Sequence, residues 1–473
     1  MIEKNESLFV LVYTWQNDIQ DYVYAGNLIF GISGETEFAT TTFHYDKDYV
    51  SQGFGALDPA NLNPEKEDIF VCKRPSGQLF GYFSNLLPGQ FGNQLLTDIE
   101  PLWPTWNEIQ KLHVLAEAHG DFGAIHINPH NDQAGQVIGS IEKLNEVVEK
   151  IRAFQQGKVR SVLTPELQGA LCSLGGSKPK VDFVVKTEDR VQRYVVKLNC
   201  SGCYNDARVS ALLSESQKSA RITVCPRKAQ PLPCGEEVLI CTNYSRKRLE
   251  SDEKNDAKII RYNRVSFRTL LENDPILGVS EHPKLNHMIH VIDRFSADPM
   301  ADKAELFRRT IFSVGTNHTA NGLDNMEMYD TGRGRWRLSP SYNNLPNPDK
   351  GTNFQVGIES AASCTSLVKF DERWISMLGG EFGFTPIESL GLAYPVVQSL
   401  EALPIRIEKS NLVAPDQSVL KNVIPSEQIG QLLAKINNTP GILEEAKKRY
   451  GLQSVQKPPV PKGPENNGGP TMR

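Results

Sequence analysis

Apolar and polar positions alternate along LFVLVYTW, YVYAGNLIF and FATTTFHYD, near the start of the chain. A two-residue period sends successive side chains to opposite faces, so each run predicts a half-buried strand. GISGE between the second and third predicts a turn. SNLLPGQ stops the element before it, and FGNQLLTDI after it predicts a helix. TWNEIQKLHVLAEA predicts a second, amphipathic helix, with Thr105 as N-cap and Glu108 three residues on. GDFGAIHINP returns to strand. SIEKLNEVVEKIRAFQQGK is helical and charged and predicts a connector over residues 141–168.

From residue 170 the strand pattern resumes. CSLGGSKPKVDFVVK and RYVVKLN flank the charged turn TEDR; a helix over roughly 205–218 and further strands through VLICTNY complete a small β-rich lobe. Beyond about residue 255 the pattern is mainly helical. In ADKAELFRRTIFSVG, Phe307, Ile311 and Val314 share one face, so that helix packs, and it ends at Gly315. Two alternating segments follow, 325–330 and 335–340, joined by Thr-Gly-Arg-Gly, which predicts a hairpin. Asn325 and Asn343 stand at its base, so closing the hairpin brings two side-chain amides together. The tail QKPPVPKGPENNGGPTMR is Pro/Gly-rich and polar, a composition that cannot support a packed core.

Composition narrows the function classes. With 473 residues the chain has room for two or three domains. A net charge of −5 leaves no global basic excess, so contact with nucleic acid is expected to be local or through a partner. No run approaches the roughly 18 apolar residues that span a bilayer, and MIEKNESLFVLVYTW lacks the signature of a secretory signal, so the expected location is the cytoplasm, away from membranes. Eight cysteines are too dilute for a disulfide scaffold. Cys200-Ser-Gly-Cys203 has no second close pair and no nearby histidine, so free thiols are favoured over zinc.

Two features point to phosphate handling. In Ser173-Leu-Gly-Gly-Ser-Lys-Pro-Lys180, Gly175 and Gly176 let backbone N–H groups approach an anion, Ser173 and Ser177 add hydroxyls, and Lys178 and Lys180 add charge. The segment precedes a strand, which excludes a Walker loop; an ordinary glycine turn is the alternative. Lys197 ends the strand that follows, the place from which kinases reach nucleotide phosphates; the alternative is a solvated strand-end lysine.

SLGGSKPK resembles the flap of HipA-type serine/threonine kinases. LFGYFSNLLPGQFGNQLL (79–96) and LAEAHGDFGAIHI (115–127) are similar to phrases of that family's N-terminal module. TIFSVGTNHTANGLDNMEMY (310–329) and WRLSPSYNNLP (336–346) are similar to its catalytic and metal-binding segments, in the same order. The resemblance runs from about residue 10 to 450. It implies an α+β, bilobal, protein-kinase-like fold with an extra β-rich N-terminal domain and a mainly helical C-terminal lobe. The expected divisions are 1–140 for the N-terminal domain, 141–168 for the connector, 169–254 for the small lobe, 255–455 for the helical lobe and 456–473 for a disordered tail.

The resemblance also carries roles. Ser173 falls on a flap serine that is autophosphorylated in some members. Lys197 falls on the phosphate-binding lysine, and Tyr244, in CTNYSR, on the hinge beside the adenine. Ser173, Gly175, Gly176, Ser177, Lys180, Lys197 and Tyr244 are thus the expected nucleotide-binding residues. The family pattern Thr-Asp-x-His-x-x-Asn becomes Thr319-Ala320-Asn321-Gly322-Leu323-Asp324-Asn325, and SPxYD becomes Ser339-Pro-Ser-Tyr-Asn343. The metal positions are therefore Asn325 and Asn343, and the base position falls on Ala320, so no catalytic residue is assigned. A gapped alignment would move Thr316 or Asn317 onto the base position and bring back His318 and Asn321, still with no aspartate.

Magnesium favours anionic oxygen, so two neutral amides are expected to weaken ATP and magnesium binding. Alanine cannot orient a nucleophile, and Asp324 would add negative charge near the phosphates. His318 is a candidate proton acceptor or a polar surface group. Ala207 falls on the position of the acidic partner of Lys197, with Asp206 beside it as a substitute or as a helix-terminal charge. The expected protein is a pseudokinase or very weak kinase that works by nucleotide and partner binding. The implied partner is a small helix-turn-helix antitoxin-like protein, which would bring DNA only indirectly. Two alternatives stand: an active serine/threonine kinase with a non-standard metal site, and an interaction protein that binds no nucleotide.

Overall fold

The computed structural model describes residues 7–33, 37–118, 122–127, 137–162, 164, 167, 170–171, 175–186, 191–249, 258–275, 283–349, 354–357 and 369–450. Ser173, Cys172, Cys364, the TEDR turn and the tail 456–473 lie outside these residues.

The alternating runs at the start form an antiparallel sheet of β1 (Ser7–Gln16), β2 (Asp21–Ser33), β3 (Glu37–Tyr45), β4 (Ile69–Val71) and β5 (Ile125–Ile127), in the order β4-β3-β2-β1-β5. Its inner face, with Val10, Val12, Leu28, Phe30 and Phe43, packs on Phe83, Ile109 and Leu112. The helices Gln90–Ile99 and Glu108–Ala118 lie between β4 and β5 in the chain. Thr105 does not cap the second. It closes a 3-10 turn at Trp103–Thr105, and Asn107 is the cap, accepting from the N–H of Gln110 at 3.0 Å while the Gln110 side chain accepts from the N–H of Asn107 at 2.9 Å. Two competing cap residues two positions apart look alike in sequence, and the tight turn decides between them.

The second sheet runs β6-β7-β8-β10-β9, built from β6 (Val137–Ile138), β7 (Lys180–Lys186), β8 (Val191–Leu198), β9 (Arg227–Pro231) and β10 (Glu237–Thr242). Only β6 pairs parallel, with β7. The helix Ile141–Gln155 buries Leu144, Val147, Val148 and Ile151 in one cluster with Phe91, Val181, Phe183, Val196 and Ile240. The expected connector is thus part of a core, and its i, i+3, i+4, i+7 apolar stripe was readable beneath its charges. On the other face of this sheet lies the helix Asp206–Ser219, whose Ala207 packs with Leu239 and Cys241.

Strands continue past residue 255. β11 (Arg246–Leu249) pairs with β12 (Lys258–Arg261), and β13 (Arg264–Ser266) joins β14 (Glu327–Asp330) and β15 (Trp336–Leu338) in a three-stranded sheet. The expected hairpin is therefore present and carries a third strand. Gly332, Arg333 and Gly334 all take positive φ in its turn, which explains the two glycines. The rest is helical. Pro299–Gly315 buries Phe307, Ile311 and Val314, and packs on the long helix Pro386–Glu401. Among the described residues no helix is long and apolar enough to cross a membrane.

Candidate functional site

The helix Pro299–Gly315 stops because its next residues turn the chain. Asn317 has φ 52°, its N–H donates to Val314 O at 3.2 Å, and the N–H of His318 donates to Ser313 O at 2.8 Å. These two bonds form a Schellman ending, with asparagine in the left-handed position. The Asn317 side-chain amide donates to Asn347 O at 2.6 Å and Asp349 O at 3.1 Å. Thr316 bonds back to Phe312 O at 2.8 Å, and Asn321 Oδ1 accepts from the N–H of Val356 at 3.2 Å. The side chains a gapped alignment would enlist are thus engaged in holding the loop.

That loop and the segment after β15 line a small pocket together. Ala320, Asn325 and Asn343 all face it, with His318, Ser341 and Tyr342. The Asn325 amide nitrogen donates to Ala320 O at 3.0 Å, which leaves its Oδ1 as the atom to offer a cation. The adjacent Asn344 is fully used inside: its Oδ1 accepts from Ser210 Oγ at 2.7 Å, and its nitrogen donates to Ser210 O and Gln217 Oε1. Tyr204 Oη donates to Pro346 O at 2.6 Å. The segment 341–346 is therefore fastened to Tyr204 and to the helix Asp206–Ser219.

Lys197 projects from β8 toward the same segment. Its Nζ donates to Tyr342 O at 3.0 Å and lies 5.9 Å from the centre of the Tyr342 ring. Burial pushes its pKa down, with Cys241 the next influence, in the opposing direction. Among the described residues Lys197 forms no ion pair. Ala207, at the position where an acidic partner was expected, offers Lys197 only a methyl group, and Asp206 binds Lys178 at 2.8 Å and the N–H of Cys200 at 3.2 Å. The second oxygen of Asp206 is buried with no hydrogen bond.

Lys180 stands directly opposite Lys197 on β7 and donates to the carbonyl of Gly175. Gly176 has φ 90°, and a Cβ added at Gly89 would fall 2.1 Å from Gly176 O. The glycine-rich loop thus lies against the N-terminus of the helix Gln90–Ile99, and glycine at both positions permits that approach. Gly175, Gly176 and Ser177 are exposed there.

Tyr244 and Tyr342 stack, 12° from parallel, with ring centres 6.3 Å apart. Tyr244 Oη donates to Glu327 Oε2 at 2.5 Å, and Arg264 pairs with the same carboxylate at 3.2 Å. Glu327 escaped the motif-based reading because it sits two residues past Asn325, on a strand position that the motif leaves unspecified. Asp324 turns away from the pocket: it is 63% exposed and bound by Arg268 at 2.7 Å and 2.9 Å. The expected negative charge near the phosphates is therefore neutralised at the surface. His318 is 7% exposed, so it is no surface group. Its Nδ1 is 2.7 Å from Leu345 O, which fixes the proton on Nδ1, and burial lowers its pKa.

Residues 172–388 match the model of the HipA-like C-terminal domain. Over that segment the chain is HipA-like. Its structure is similar to HipA of the Shewanella oneidensis MR-1 toxin–antitoxin system, solved with HipB and its operator DNA, with a TM-score of 0.61 at 15% identity over 93% of this chain and 99% of that one. It also aligns with the Helicobacter pylori proinflammatory kinase CtkA, with a TM-score of 0.39 at 11% identity over 58% of this chain and 98% of that one. No curated protein sequence matches it significantly. The fold is the kinase-like HipA fold, mixed α and β, with a helical C-terminal part.

Proposed function

We propose that this protein is a pseudokinase, or at most a very weak serine/threonine kinase, acting by nucleotide and partner binding. The supporting observation is that Lys197, from the lysine-bearing sheet, donates to the carbonyl of Tyr342 at 3.0 Å, and Tyr342 lines the pocket to which a loop presents Ala320, Asn325 and Asn343. Lys197, Lys180 and the loop 175–177 would hold the phosphates, and Tyr244 and Tyr342 would flank the base. Nothing at Ala320 accepts the proton of an attacking hydroxyl, and positioning is most of what phosphoryl transfer requires. Magnesium, which the family's fold implies, does not fit well. The donors are neutral amides, whereas the ion is ordinarily held by one or two carboxylates with phosphates. Nearby carboxylates are engaged: Glu327 by Arg264 and Tyr244, Asp206 by Lys178, and Asp324 by Arg268.

The partner in this reading is a small helix-turn-helix protein, through which DNA is reached. The likeness to a HipA solved with HipB and operator DNA supports it, as does the acidic net charge of −5. Co-purification with the product of a neighbouring short reading frame tests this part.

A thermal-shift titration with ATP, combined with transfer of labelled phosphate, tests the nucleotide part. A rise in melting temperature that Lys197→Ala abolishes, without label transfer, is the expected result. Label transfer lost in Lys197→Ala would establish the rival, an active kinase with a non-standard metal site. Absence of any ATP response would establish an interaction protein that binds no nucleotide.

A further inference from the structure

The cleft holds more positive charge than its surroundings balance. Lys180 and Lys197 are directly opposed on β7 and β8. Side chains of an opposed antiparallel pair leave the sheet on the same face, where like charges repel. Among the described residues neither forms an ion pair, and both donate to backbone carbonyls, of Gly175 and Tyr342. Behind them Arg227 is 7% exposed and also has no carboxylate partner among the described residues. Its guanidinium donates to Cys225 O at 3.2 Å, Ser341 O at 2.6 Å, and Ser210 Oγ and Asn344 Oδ1 at 3.3 Å each. A cation withdrawn from water without a counter-ion costs stability, so two half-buried lysines on one face of the sheet, with buried Arg227 behind them, mark a place where an anion is missing.

We propose that this cleft takes a linear phosphoanhydride, the polyphosphate chain of a nucleotide, as the metal-free polyanion. The proposal rests on the nucleotide-binding reading above and changes the ligand's form: lysine and arginine charge stands where a divalent ion stands in phosphotransfer enzymes. The donor chemistry runs the same way. Asn325 and Asn343 offer a metal only dipoles, and Lys197, bonded to Tyr342 O next to Asn343, adds positive charge that a metal ion would have to face. Magnesium also cancels part of the charge the lysines attract, so it acts as a competitor. Lys180 agrees with this picture: burial first, then Lys197, pushes its pKa down to about 8, the condition of a lysine awaiting an anion.

The test is calorimetric titration of the full-length protein with ATP and with inorganic tripolyphosphate, each in excess EDTA and in excess magnesium. ATP is expected to bind in EDTA, and magnesium to weaken it by at least about threefold, the loss of roughly one charge pair. Lys180→Met is expected to raise the melting temperature of the free protein, because it removes the repulsion, and to weaken binding in EDTA. Asn343→Asp is expected to reverse the preference in favour of magnesium. Binding of ATP only with magnesium, or a melting temperature lowered in folded Lys180→Met, would overturn the proposal. Tripolyphosphate binding in EDTA without ATP binding would keep the anion site and remove the nucleotide reading. Failure of both ligands to bind would remove both.

Discussion

Lys197 Nζ donates to the backbone carbonyl of Tyr342 at 3.0 Å and rests over the same residue's ring, one position before Asn343. The lysine of the small sheet is thereby tied to the segment that carries the amide. The acceptor is a neutral carbonyl, so the bond leaves the ammonium two further protons with which to meet a phosphate. Two opposing terms decide what the tie is worth. The hydrogen bond from a charged donor contributes about 1.5–3 kcal/mol, and burying an unpaired ammonium removes a similar amount. Burial is the first cause of the lowered Lys197 pKa, so desolvation outweighs attraction at this site. Lys197→Met is therefore expected to leave the free protein as stable as before or more so, within about 1 kcal/mol, while the ATP-induced shift is lost. Chemical denaturation with and without ATP checks both halves.

Replacing the neutral residues tests whether the remainder of the site is intact. Ala320→Asp with Asn343→Asp is expected to raise phosphotransfer by about a hundredfold or more, the usual contribution of a positioned base. Each single variant should gain much less, because base and metal site act together. Phosphate transfer from labelled ATP in magnesium measures this, and no gain in the double variant would show that the surrounding geometry has drifted.

His318 gives a second reading of residual activity. Its proton is fixed on Nδ1 by Leu345 O, and its lowered pKa keeps it neutral at neutral pH. If wild-type protein transfers any phosphate, His318→Gln is expected to abolish it by removing the remaining proton acceptor of the pocket. An unchanged rate would assign His318 to holding the loop alone.

Asp58 makes stability depend on pH. It is fully buried, and burial raises its pKa to about 6 despite the N–H groups of Ala60 and Asn61 and the Asn61 amide. An unfolded aspartate titrates near 4. Between those values the folded state binds more protons, so stability falls as pH rises from about 4 to about 6 and is level above. Asp58→Asn is expected to abolish that slope and to stabilise the neutral-pH protein by on the order of 2 kcal/mol. Denaturation midpoints across this range would show a flat profile in the variant.

Lys180 predicts the pH dependence of binding. An anion restores its charge, so the complex takes up a proton, and affinity should decline as pH rises through about 8. Affinity that stays flat to about pH 9.5 would contradict the placement of Lys180 at the phosphates.

The alternation of LFVLVYTW and YVYAGNLIF determined β1 and β2, because a period of two admits few other ways to bury one face. The stripe Phe307, Ile311 and Val314 likewise determined the helix that leads into the site. The glycine-rich turn determined the hairpin that brings Asn325 and Asn343 to one pocket. These features are local, so local chemistry suffices to state them. Partners that meet across large sequence separations depended on the fold. Only tertiary structure decided that Asp206 takes Lys178, that Asp324 turns to Arg268 at the surface, and that Glu327 is held by Arg264 and Tyr244. Burial depends on what packs above a residue, and this made His318 an interior imidazole and Arg227 a buried cation with no carboxylate partner among the described residues. The charge balance of the cleft is a sum over residues the chain keeps far apart, so it became visible only once β7, β8 and the segment after β15 were placed together.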